Sequence, residues 1–227
     1  MSDTLIPGPA SGAAHRRPAR AVVGLALSLL IAVAGCTGSP EADSGPADRA
    51  ADSTPVAVTG PLCDVLPSGT EPGNPNSLAD QSPGVALTWI PVLTTFEAAV
   101  RATGMAEELS AAGAITVLAP TDDAFRAKFS TENVDQLLLK ETETLRGLLR
   151  EHVLTGAYPV ADLVAAGTVT TLAGTPVTVT SAETGARVAD RADTVCADYQ
   201  ATGARIHVIN KVLGDLPDTA HEEEHHH

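Results

Sequence analysis

The 227-residue, 23.1 kDa chain is long enough for one or two domains, and its 44% hydrophobic and 19% charged residues exclude a wholly disordered protein. No apolar run reaches the ~20 residues of a spanning helix, which excludes a multi-span membrane protein. Fourteen basic residues against 28 acidic give a net charge of −14, and aromatics are only 3%, so neither a nucleic-acid backbone nor stacked bases are expected as partners.

In chain order, His15, Arg16, Arg17 and Arg20 precede the apolar run from Ala21 to Gly35, in which Ser28 alone is mildly polar. A basic segment followed by a short apolar one has the layout of an export signal. The run ends in Val33-Ala34-Gly35-Cys36, which resembles the lipobox of bacterial lipoproteins, where the Cys is diacylated and becomes the first residue. Ala32-Val33-Ala34 also fits ordinary cleavage after Ala34; the thiol of Cys36 separates the two readings. Arg16-Arg17 lacks the hydrophobic residues that usually follow a twin-arginine pair. We therefore expect a signal segment over 1–35 and attachment to the membrane through acylated Cys36, on the outer face of the cytoplasmic membrane. Removal of 1–35 leaves 11 basic and 27 acidic residues, a still more acidic protein. Residues 36–60, rich in Pro, Gly, Ser, Asp and Ala, read as a solvated tether.

With Cys36 acylated, Cys63 and Cys196 remain as an even pair in an oxidising compartment, and a disulfide is expected between them. Neither has a second Cys or a His at ligand spacing, so no metal centre and no cofactor are expected there.

After a Pro/Gly/Asn-rich approach (67–84), apolar residues at helical spacing predict a helix over 91–102, and a second short one over 105–111 ends before Gly113. Residues 114–119 read as a buried strand closed by Pro120. Thr121, Asp122 and Asp123 supply a hydroxyl and two carboxylates to the first turn of a helix carrying Phe125 and Phe129. Thr131 is placed to cap a helix with Val134, Leu137 and Leu138 inward, and Leu145, Leu148, Leu149 and His152 form a stripe on the next. A short helix ends at Gly167. Strands are predicted over 168–172, 176–180, 187–189 and 206–209, with a turn at Gly174.

The stretch from Ile115 to Phe125 (ITVLAPTDDAF) closely resembles the first signature box of fasciclin domains, and Ile206 to Leu213 (IHVINKVL) resembles the second. Leu148 to Leu154 (LLREHVL) is similar to the family's central helix-to-strand segment, with His152 at its usual His. The resemblance covers roughly 62–217, with a domain over 61–217 and a flexible tail over 218–227. With the lipobox, the tether and the two Cys positions, the chain looks most like actinobacterial surface lipoproteins of that family. The resemblance implies an α+β wedge, two small β-sheets packed together with several short helices along one side, and Thr121, Asp122, Phe125, His152 and His207 as structural signature residues.

No catalytic set converges. Adjacent carboxylates at a helix start diverge in direction, which leaves Asp122 and Asp123 as capping groups. His152 closes an apolar stripe and reads as a buried, hydrogen-bonded histidine, while alternation turns His207 to the other face of its strand. No G-x-S-x-G, H-E-x-x-H or phosphate-cradling glycine loop is present. Where some animal fasciclin proteins have a Tyr-His pair associated with integrin adhesion, this chain has Glu151-His152, a departure that argues against integrin binding. The terminal HEEEHHH, with His221, His225, His226 and His227, is either inert or a weak Zn, Cu or Ni binder. The expected function is that of an exported, lipid-anchored, non-catalytic binding or adhesion module for an unidentified protein or envelope component. The alternative is a carrier or sensor of a small apolar ligand.

Overall fold

The computed structural model describes residues 56–220. Cys36, the export segment, the tether as far as residue 55 and the four tail histidines lie outside the described residues.

The Pro-rich approach, where the sequence has no periodic run, contains two short helices, α1 (Pro75–Leu78) and α2 (Pro83–Thr88). Both begin on Pro, whose missing N–H is of no consequence at a helix start, and the Asn74 side chain accepts from the amides of Asn76 and Ser77 at 3.1 Å. The helix expected over 91–102 is a 3₁₀ turn, Pro91–Leu93, leading into α3 (Thr94–Ala102). Gly104, at φ 67°, makes the left-handed turn into α4 (Met105–Ala111). Then come β1 (Ile115–Pro120), α5 (Asp122–Lys128), α6 (Thr131–Leu139), α7 (Thr142–Arg150) and β2 (Val153–Thr155). Next are α8 (Val160–Ala166), β3 (Thr168–Thr170), β4 (Pro176–Ala182), β5 (Gly185–Val188), β6 (Ala192–Ala201) and β7 (Ala204–Ile209). The cap of α6 is Ser130, not Thr131: the Ser130 hydroxyl accepts from the Asn133 amide at 3.2 Å, and Thr131 is the first helical residue.

The seven strands follow the order β2-β1-β7-β6-β5-β4-β3, with β1 and β7 parallel and the other pairs antiparallel. The ends of this order nearly meet, because Leu154 of β2 bridges Thr171 just beyond β3 and the Leu172 amide donates to the Val153 carbonyl at 2.7 Å. The class is α+β. The two expected sheets are the two arms of this single run, and β6 belongs to both. Its first residues, Ala192 and Asp193, pair with β5, and the stretch from Thr194 to Ala201 pairs with β7 through two register shifts that bend the strand.

Both faces of the central strands are covered, which is why all six residues of β1 are buried. On one face, Val117, Ala119, Ile206 and Val208 join Phe96, Met105, Leu109, Phe125, Leu145 and Leu149 from the helices in the larger core. On the other, Leu118 and Ile209 meet Val177, Val179 and Val188 of the facing arm and Leu163 of α8 in a second core. Cys63 and Cys196 are bonded to each other, with Cα atoms 5.1 Å apart. The fold reaches beyond the expected 61–217 at both ends. Thr59 exchanges backbone hydrogen bonds with Ala197 (3.1 and 2.7 Å), and Thr219 is buried with its hydroxyl accepting from the Ser130 amide at 3.0 Å.

Candidate functional site

The residues of the first box are held by helix-end chemistry. The Thr121 hydroxyl accepts from the Ala124 amide at 3.1 Å, the expected cap of α5. Asp122 does more than charge its own helix. Its carboxylate accepts from the Thr95 amide at 2.7 Å and the Thr94 hydroxyl at 2.9 Å, so it caps α3 from a distance and ties that helix to the end of β1. Phe125 is buried against Phe129, ring centroids 6.3 Å apart, and Phe129 stands at the end of α5 instead of within it. Asp123 pairs with Arg126 at the surface.

His152 lies two residues beyond α7, fully buried and edge-on to Phe96 at 6.1 Å. Its Nε2 accepts the Leu213 amide at 2.8 Å, which fixes the tautomer, so Nδ1 donates to the Leu148 carbonyl at 2.8 Å. The ring thus joins the central segment to the second box. Burial lowers its pKa to about 4 against the favourable Leu148 bond, and the positive charges of Arg191 and Lys128 push the same way. The preceding Glu151 accepts from the hydroxyls of Thr175 (2.8 Å) and Thr171 (3.3 Å), joining the end of α7 to the turn between β3 and β4.

His207 is equally buried on the opposite face of β7 from Ile206 and Val208. Its Nδ1 accepts the Asp198 amide at 3.0 Å and its Nε2 donates to the Tyr158 carbonyl at 2.9 Å. Burial lowers its pKa, opposed by the Tyr158 bond and the Asp198 carboxylate. Asp198 sits in the bulged part of β6 at φ 75°, and its carboxylate accepts the Val160 amide at 2.9 Å to hold the start of α8. Nothing in the local sequence announces Asp198, since the Val160 amide that its carboxylate holds lies 38 positions away. The structure does not bring His152 and His207 together, and each has both ring nitrogens hydrogen-bonded to the backbone. Neither imidazole has a nitrogen available to a substrate.

Among the described residues no cluster of three or more His, Cys, Asp or Glu is arranged to hold a metal ion. The apolar space between α3, α5, α6 and α7, lined by Phe125, Leu137 and Leu145, amounts to about 10 Å³, room for roughly one water. The larger concavity is an open groove of about 840 Å³ between α2, α3 and α4, with Val85, Thr88, Val100 and Ala106 along it. Glu97, Arg101 and Glu107 stand at the same groove, and Trp89 at the end of α2 is 48% exposed.

A family model for the fasciclin domain matches residues 91–216, more than half of the chain. The chain belongs to the fasciclin family. Among curated proteins, this fasciclin domain is similar to protein sll1483 of Synechocystis sp., with 39% identity over 121 residues covering 53% of the chain and 66% of that protein. It is similar to sll1735 of the same organism, 33% identical over 120 residues, covering 53% and 87%. It also resembles transforming growth factor-beta-induced protein ig-h3 of Oryctolagus cuniculus, 34% identical over 126 residues, covering 56% of the chain but 18% of that protein. The chain thus spans about two thirds of sll1483 and less than a fifth of ig-h3. Among solved structures, a FAS1 domain pair from the insect cell adhesion molecule fasciclin I matches with TM-score 0.43 and 17% identity, over 54% of this chain and 45% of that one.

Proposed function

We propose that this fasciclin domain is an exported, lipid-anchored module that binds at the cell surface without catalysis. The observation that carries the reading is the Cys63–Cys196 bond, which closes a loop of 133 positions and suits an oxidising compartment, following an export-type segment that ends on Cys36. The saturated backbone bonding of both buried histidines supports a structural role for the signature boxes, which leaves binding to the surface. Fasciclin domains are commonly adhesion-related modules. The lipobox and tether favour an actinobacterial surface lipoprotein, although the curated relatives named above are cyanobacterial and mammalian. A second reading, the carriage of a small apolar ligand, draws on the groove between α2, α3 and α4, but that groove is open, and the closed apolar space holds about 10 Å³. An open groove suits a partner's surface better than an enclosed ligand.

The anchor rests on one sulfur. Burial of acyl chains contributes ~0.8 kcal/mol per CH₂ and two chains hold far better than one, so Cys36→Ala should block lipoprotein processing and abolish fatty-acid labelling. Continued labelling of that variant would refute the anchor. The binding role is tested by capture from cell-envelope extracts with wild type, with Val85→Ala in the groove and with Trp89→Ala at the exposed end of α2. Turnover of an envelope substrate by the purified protein would overturn the non-catalytic reading.

A further inference from the structure

Lys128, Arg191 and Lys211 line one cavity of about 190 Å³, with Ala124, Ala127, Val212 and Asp218 completing its wall. They come from three separate places: the last residue of α5, the turn between β5 and β6, and the chain just after β7. The gathering runs against a composition in which acids outnumber bases two to one. Elsewhere among the described residues most cations are matched by carboxylates, Arg101 by Glu97, Arg126 by Asp123, Arg146 and Arg150 by Glu108, and Arg187 by Asp193, while Lys140 and Arg205 stand singly and apart. Here a single carboxylate enters, Asp218 at 2.9 Å from the Lys128 ammonium. Arg191 gives one N–H to the Gly214 carbonyl at 3.3 Å, and Lys211 has no ion-pair partner among the described residues. Three cations and one carboxylate leave the lining at net +2.

The cavity is also held in shape. The Lys128 side chain is 12% exposed, its ammonium lies 5.5 Å from the centre of the Phe129 ring, and its carbonyl accepts the amides of Thr219 and Ala220 at 2.8 and 3.3 Å. Arg191 follows Ala189 and Asp190, both at positive φ, and its amide closes the turn onto the Val188 carbonyl at 3.2 Å. The positive field of Lys128 and Arg191 extends inward as far as His152.

We propose that this cavity binds a compact dianion of the phosphate class, with Arg191 giving directional N–H donors and Lys128 and Lys211 giving point charges. A phosphate monoester carries about −1.5 to −2 at neutral pH, which matches the lining, whereas a lone carboxylate leaves a cation unneutralised. The phosphate is either that of a soluble ester or that of a lipid headgroup such as phosphatidic acid. The inference does not depend on the acyl anchor.

Calorimetric titration of the full chain with inorganic phosphate, against chloride at equal ionic strength, tests the site. Saturable phosphate binding is expected, weakened about tenfold or more in Arg191→Ala/Lys211→Ala and unchanged in Arg126→Ala/Lys140→Ala, which removes two exposed charges elsewhere. Lys211→Ala alone, at an exposed position, gives the same test should the double variant lose its fold. Sedimentation with phosphatidic acid vesicles, against phosphatidylcholine vesicles, separates the two sources. Binding of either probe that depends on Arg191 and Lys211 supports the site. No saturation beyond chloride together with no vesicle binding, or equal weakening in both double variants, overturns it.

Discussion

A histidine held neutral inside a fold sets protonation against folding. His152 has its pKa lowered from 6.5 to about 4, so between those values the unfolded chain binds a proton that the native chain does not. Its contribution is complete above pH 6.5 and is lost as the pH falls towards 4, by about 3 kcal/mol for a shift of this size. His207 shifts in the same direction and adds to the slope. The melting temperature of the wild type should therefore drop between pH 6.5 and 4, and His152→Gln should drop less steeply while being less stable at pH 7. A variant with an unchanged pH slope would show that the ring titrates elsewhere than supposed. The two residues of the first box separate by a second measurement. Thr121→Ala loses one cap and should cost about 1 kcal/mol. Asp122→Ala leaves α3 without its acceptor as well as removing a charge from α5, and in urea titrations it should cost more than Thr121→Ala, about 1 to 2 kcal/mol. Helical spacing pointed to His152 as buried, but nothing in the local sequence announces that Asp122 serves α3, since Thr94 and Thr95 precede it by 28 and 27 positions.

Strands and helices with a regular apolar period were legible in the sequence, and those without one were not. β1, α4 and β4 lie close to their expected bounds because one face of each, or both, is made of large apolar side chains. β6, the longest strand and the one shared by both arms, was missed. Its buried positions are Ala192, Thr194, Cys196, Ala197, Tyr199 and Ala201, small or polar for the most part, and the bulge at Cys196 shifts the alternation by one residue. α1 and α2 were missed because four and six residues are too few to show a period. β6 also receives the disulfide, and the chain-entropy argument gives a loop of 133 positions about 5 kcal/mol. Cys63→Ser/Cys196→Ser should lower the urea midpoint accordingly; a loss below about 1 kcal/mol would mean that the unfolded chain is already restrained by other contacts. Next to the bridge, Gly60 has φ 136°, and an added Cβ would strike the Val195 carbonyl, so Gly60→Ala should free residues 56–60 from β6. Faster amide exchange at Thr59 and Ala197 is the expected sign.

At the scale of the molecule, the class and the family resemblance followed from two boxes that lie in sequence order, because β1 and β7, which carry them, are adjacent parallel partners. The cationic cavity was illegible for the converse reason: its walls come from α5, the β5–β6 turn and the chain after β7, segments that only the closed strand order brings side by side. The groove, by contrast, is lined by the consecutive helices α2, α3 and α4, of which α2 is too short to show a period. The closed strand order has a mechanical consequence. A pull arriving from residue 55 can peel residues 56–62 away from β6, a length of about 24 Å fully extended, before it meets Cys63. From there the load passes through a covalent bond to Cys196, in the strand that both arms share, so tension is distributed into two hydrogen-bonded ladders and the rest of the chain stays folded. A domain tethered at its N-terminal side to one surface and gripped by another thus carries force through its centre.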